Sequence, residues 1–90
     1  MLECIISQAN QNGTLTLAAS TITMKRNAII RVQSGGKLII DGGQLNEANV
    51  LVEDGGSFTI NNGGVVRIQD NGVFQTQLGA VVLINNGKIE

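Results

Sequence analysis

Residues 29–88 read IIRVQSGG and KLIIDGGQ (29–44), LNEA (45–48), then NVLVEDGG, SFTINNGG, VVRIQDNG, VFQTQLGA and VVLINNGK (49–88). The stretch is a run of eight-residue units with LNEA as its interruption. The second and fourth positions of each unit are mostly aliphatic or aromatic. Because alternate side chains of a strand point to one face, each unit predicts a short strand with an apolar side.

Stacking is the way such short strands can bury their apolar side. A single unit offers too little surface for a core, whereas stacked units share one. Three units form a coil of about 24 residues. The sequence therefore predicts an all-β fold, a small right-handed parallel β-helix with three faces. An antiparallel meander or sandwich is the alternative, but a meander leaves its apolar face uncovered. The expected inward residues are Ile30, Val32, Leu38, Ile40, Val50, Val52, Phe58, Ile60, Val66, Ile68, Phe74, Thr76, Val82 and Ile84.

The seventh position of the unit predicts the corner between two faces. It is occupied by Gly35, Gly43, Gly55, Gly63, Asn71, Gly79 and Gly87. Glycine and asparagine adopt a left-handed backbone at the least cost. We therefore expect positive φ at this position.

The period also predicts a register. Units 29–36, 57–64 and 81–88 share one face, 37–44 and 65–72 a second, and 49–56 and 73–80 a third, with LNEA as a corner bulge. Phe58 then neighbours Ile30 and Val82. Lys25 should lie beside Glu53, and Arg26 beside Asp54, because adjacent strands are about 4.8 Å apart.

The N-terminal part follows the pattern less closely. Residues 21–28 fit the unit, but residues 1–20 do so only in part and carry few glycines. Terminal repeats of solenoids are usually atypical. We expect one domain, with a degraded first coil or cap at 1–28 and regular coils at 29–90.

Composition argues against several classes of function. The net charge is −1, with no excess of basic residues for nucleic acid. No apolar run reaches the ~20 residues of a membrane span. Histidine is absent, no two carboxylates face each other across the expected coils, and no calcium-binding GGxGxD turn occurs. The sequence therefore predicts no enzyme, no catalytic residues, no metal site and no cofactor. The lone thiol, Cys4, is interpreted as a small buried side chain.

Apolar residues at outward positions predict an interface near the C-terminal end. They are Val65, Val73, Val81 and Leu83, with Leu78 in a turn. Such a patch can mark an interaction surface, and the last coil also presents unpaired strand edges. We expect a homo-oligomer or docking to another domain, with polysaccharide as a further partner to consider.

The segment GGKLIIDGGQLNEANVLVEDGGSFTINNGG (35–64) resembles the glycine-punctuated β-solenoid repeats of secreted and surface proteins of Bacteroidetes-type bacteria. The resemblance covers residues 21–90 and lies in the repeat alone, so it transfers no site residues. It implies a parallel β-helix and an extracellular or cell-surface setting.

The function that these observations favour is non-enzymatic. We expect a structural or assembly module, which could be a stalk, a spacer or an interaction domain of an exported protein. A carbohydrate-binding or adhesin-type module and a β-helical, filament-forming cytoskeletal protein are the alternatives.

Overall fold

A computed structural model of the chain describes residues 3–7, 13–25 and 28–90. The strands in these ranges are short, and no α-helix occurs among them. They are β1 (Glu3–Ile6), β2 (Thr14–Ala18), β3 (Thr21–Thr23), β4 (Ile29–Val32), β5 (Lys37–Asp41), β6 (Gln44–Ala48), β7 (Val50–Val52), β8 (Ser57–Asn61), β9 (Val65–Ile68), β10 (Phe74–Thr76), β11 (Val81–Asn85) and β12 (Lys88–Ile89).

The strands form three parallel sheets that the chain visits in turn. The first sheet has the order β1-β4-β7-β10, the second β2-β5-β8-β11, and the third β3-β6-β9-β12. Each strand pairs in parallel with the equivalent strand of the next turn, about 23 residues later. The predicted fold class, a three-faced parallel β-solenoid, is confirmed.

Alternating side chains of all three sheets fill the interior. In β5 and β8, for example, every second residue is fully buried. The rings of Phe58 and Phe74 pack against each other, with their centroids 5.0 Å apart. The buried hydrophobic residues are Ile6, Leu17, Ile30, Val32, Leu38, Ile40, Leu45, Ala48, Val50, Val52, Phe58, Ile60 and Val66.

The predicted register is correct after the interruption and wrong before it. Val50 pairs with Phe74, and Phe58 pairs with Val82, as expected. Ile30, however, pairs with Val50 and not with Phe58. Leu38 pairs with Phe58, 20 residues later, and not with Val66. The turn that contains LNEA is therefore shorter than the turn after it.

The reason is that LNEA belongs to a strand and is not a corner bulge. Residues 44–48 form β6, in which Leu45 and Ala48 are buried with 1% and 0% exposure. Their spacing of three residues breaks the alternation, and the ladder with β9 shifts between them. Glu47 takes a left-handed φ of 54° there, as the extra residue of a β-bulge can. Burial of two more apolar side chains in the core thus decides the register.

The predicted ion pair between Lys25 and Glu53 is wrong because the strand before Lys25, β3, pairs with β6 and not with the strand before Glu53. Lys25 follows β3 in the third sheet, whereas Glu53 follows β7 in the first. Strand β7 lies between β4 and β10, and Glu53 pairs with Arg31 of β4, whose Nη2 lies 2.7 Å from Oε2. The expected contact of Asp54 involves Arg26, which lies outside the described residues.

Left-handed corners occur at most of the predicted positions. Gly35, Gly55, Gly63, Asn71 and Gly79 all have positive φ. The prediction is wrong at Gly43 and Gly87, because the residue before each of them takes the left-handed conformation instead. Those residues are Gly42 and Asn86, with φ of 73° and 62°.

The described strands at the start of the chain belong to the same three sheets. Cys4 is half-buried against the core, and Leu17 is 4% exposed. The boundary between a cap at 1–28 and regular coils at 29–90 stays a prediction.

Candidate functional site

The five residues of the predicted interface lie on different sides of the solenoid. Val81 and Leu83 are alternate residues of β11 on the outer face of the second sheet, 59% and 55% exposed. Leu78, 98% exposed, lies in the turn before that strand. Val65 begins β9 in the third sheet and is half-buried, whereas exposed Val73 precedes β10 of the first sheet. Val81 and Leu83 thus share one outer face, Leu78 lies in the turn before it, and the other two residues lie on other sheets.

Two exposed apolar residues in β11 were expected in the core. Val82 and Ile84 continue the ladders of Phe58 and Ile60, which are fully buried. They are nevertheless 37% and 46% exposed, because β11 is the edge strand of its sheet among the described strands. The alternation of the unit predicts which face a side chain joins, but it does not predict whether another strand packs over that side chain. Both faces of β11 are therefore apolar and open to solvent.

The other end of the solenoid holds an apolar recess. Its volume is about 300 Å³, and it lies among the first strands of the three sheets. Ile22 is 43% exposed there. Side chains that line the recess include Cys4, Leu15, Leu17, Ile22, Met24 and Ile30. Sequence reasoning placed these side chains in a core and did not predict the recess beside them.

Ionisable side chains in the described ranges form pairs and small groups on the surface. No three or more of the Cys, Asp and Glu side chains described there lie together as metal ligands would. Arg31 bonds Glu53 through Nε as well as Nη2, at 2.8 Å and 2.7 Å. Such charge-assisted pairs hold neighbouring strands of a sheet in register.

Glu90 accepts bonds from two cations at the C-terminal end. Arg67 Nε lies 2.7 Å from Oε1, and Lys88 Nζ lies 3.1 Å from Oε2. The Arg67 hydrogen bond, followed by the bond and charge of Lys88, lowers the pKa of the Glu90 carboxyl. The backbone of Glu90 also bonds β9, since its N–H donates to the carbonyl of Val66. These contacts fasten β12 to β9.

We expect the pKa of Glu90 to rise when Arg67 is replaced by Gln. A pKa lowered by folding means that the ionised carboxylate favours the folded state. Its stabilising effect is present above the ordinary Glu value of about 4.3 and is lost as the pH falls through the lowered value. NMR titration of the side-chain carboxyl carbon measures the shift. Arg31→Gln is the matched control and should leave the Glu90 titration unchanged; equal shifts in both variants would contradict the pairing.

The described part of the chain contains no helix with the length and apolarity that a membrane crossing needs. Comparisons of the chain with protein-family models, curated proteins and solved structures found no match.

Proposed function

We propose that this chain is a non-enzymatic structural or assembly module, acting as a stalk, spacer or interaction domain. The observation that carries the proposal is the apolar surface of β11. Four exposed aliphatic side chains, Val81, Val82, Leu83 and Ile84, follow one another on β11, the edge strand of its sheet in the described ranges. Contiguous exposed apolar surface is typical of interaction sites, and open strand edges are usually covered in native proteins.

An exported or cell-surface setting is part of this proposal. It rests on the likeness of residues 21–90 to repeats of secreted and surface proteins. The partner is another copy of the chain or a neighbouring domain, since either could cover β11.

The second candidate is a β-helical protein that polymerises into filaments. It is favoured by the stacking of parallel sheets, because edge strands of the described part of the chain, such as β11, can pair with further strands. Such growth needs no nucleotide, since backbone pairing and apolar contact drive it.

The test is the absolute mass of the chain in solution, measured by light scattering behind a sizing column. We expect the parent to exceed the 9.4 kDa of a monomer and Val81→Asp/Leu83→Asp to be monomeric but folded by circular dichroism. Ile39→Asp is the matched control, because Ile39 holds the outward position of Leu83 two strands away in the same sheet. A parent that stays monomeric at every concentration contradicts self-association.

A further inference from the structure

The described ranges contain Asn-Gly pairs at residues 62–63, 71–72 and 86–87. An asparagine before a glycine can react with its own chain, because the backbone nitrogen of the glycine can attack the side-chain carbonyl carbon, Cγ. Glycine has no side chain to hinder this approach. The first pair follows β8, which lies between β5 and β11 in its sheet, so its corner has a described turn on each side.

The corner after β8 is a tight turn. Asn62 and Gly63 have left-handed φ of 53° and 84°, and the N–H of Gly64 donates to the carbonyl of Asn61 at 3.0 Å. Positive φ at both central residues is the type I′ pattern, which Asn-Gly favours. The turn therefore fixes the backbone around the reactive pair.

The two groups that would react with each other are bound on opposite sides of β8. The side-chain nitrogen Nδ2 of Asn62 donates to a carboxylate oxygen of Asp41, in the turn before. The backbone N–H of Gly63 donates to the carbonyl of Asn86, in the turn after. Reaction requires both hydrogen bonds to break, because the carboxamide must leave Asp41 and the backbone nitrogen must lose its proton.

We propose that Asn62 is a latent deamidation site, which its bond to Asp41 and the bond between Gly63 and Asn86 hold back in the folded protein. When the corner opens, the nitrogen of Gly63 gives its proton to a solvent base and forms a bond to Cγ of Asn62. The Cγ–Nδ2 bond breaks, and the nitrogen takes up a proton from water and leaves as ammonia. Water then opens the succinimide ring at either carbonyl, which leaves aspartate or isoaspartate at position 62.

The product does not fit the closed corner. A carboxylate at position 62 cannot donate to Asp41 and places a like charge beside it, which destabilises neighbouring strands. Isoaspartate also adds a carbon atom to the main chain of a turn whose hydrogen bonds need the normal length. The reaction is therefore a one-way consequence of local opening, the kind of fluctuation by which single corners of a fold expose their backbone.

The first test compares the rate of modification at Asn62 in folded and unfolded chains. The protein is kept at mildly alkaline pH with and without concentrated urea. Peptide mapping by mass spectrometry follows the replacement of the side-chain amide by a carboxyl group. We expect the folded chain to react roughly tenfold or more slowly, as two hydrogen bonds of ordinary net strength would give. Equal rates in the two conditions would overturn the proposal.

Variants of Asp41 test whether this residue holds Asn62 back. Asp41→Ala removes the acceptor and should raise the rate in the folded chain roughly threefold or more. Asp41→Asn keeps an acceptor oxygen and should stay close to the parent. Asp70→Ala is the matched control, since Asp70 is an exposed aspartate at the corner after β9, in the third sheet.

An unchanged rate at Asn62 in folded Asp41→Ala, or an equal increase in Asp70→Ala, would contradict the role of Asp41. Circular dichroism checks that each variant is folded. Asp41→Val, which also lacks an acceptor and suits a strand, replaces Asp41→Ala if that variant is not folded.

Discussion

Replacement of Phe58 by Ala is expected to lower the free energy of unfolding by about 3–5 kcal/mol. Phe58 is fully buried in β8, in the middle of the second sheet, with Leu38 on one side and Val82 on the other. Its ring also packs against that of Phe74 in the first sheet. The substitution therefore removes apolar contact with two turns and leaves a cavity where two sheets meet.

The control for this variant is Val82→Ala, in the same column one turn later. Val82 is 37% exposed in the edge strand β11, so its truncation should cost about 1 kcal/mol or less. Chemical denaturation of both variants at low protein concentration gives the two free energies. Similar losses in the free energy of unfolding for the two variants would contradict the register, which places Phe58 in the core and Val82 in an edge strand.

Replacement of Gly56 by Ala is expected to cost about 3 kcal/mol, through a steric clash. A Cβ at this position would clash with the carbonyl oxygen of Val32 and lie 3.1 Å from that of Glu53. Both are backbone atoms, so no side-chain rotation relieves the contact. The backbone N–H of Gly56 donates to Glu53, and its carbonyl accepts from Val81, which fixes the corner between the first and second sheets.

Gly63→Ala is the matched control, since Gly63 is a corner glycine with a different role. Its φ is +84°, and a Cβ there would meet nothing within 4 Å. Left-handed backbone strain alone should cost about 1–2 kcal/mol. Gly63→Asn should cost less, because Asn71 takes the equivalent conformation at its own corner. Urea unfolding of the variants measures these differences; a smaller loss for Gly56→Ala than for Gly63→Ala would contradict the close approach.

The glycine pairs illustrate the limit of a repeat pattern. The sequence predicts that a corner glycine supplies a left-handed backbone, and Gly35, Gly55 and Gly63 do so. It does not reveal that the next glycine, as at Gly56, is required because the neighbouring turn's backbone passes within contact distance. The need for glycine at position 56 depends on which strands lie beside each other, and the register determines which strands these are.

The candidate interface also combines features that the sequence pattern predicts with features that depend on the packed structure. Outward apolar positions in the sequence correctly identified Val81 and Leu83 as exposed. The pattern placed Val82 and Ile84 in the core, because alternation indicates which face a side chain joins but not whether another strand covers that face. Exposure of these two residues follows from the position of β11 at the edge of its sheet.

By itself, the sequence determined the strands, their inward faces and the three-faced parallel solenoid. These follow from local properties: side chains alternate along a strand, glycine and asparagine permit sharp corners, and short apolar faces must stack. The tertiary structure decided the register before residue 49, the partner of Glu53 and the exposure of Val82 and Ile84. Considered as a sequence alone, LNEA fits a loop and a strand equally well. Burial of Leu45 and Ala48 against the other two sheets selects the strand, and such burial is a property of the packed molecule.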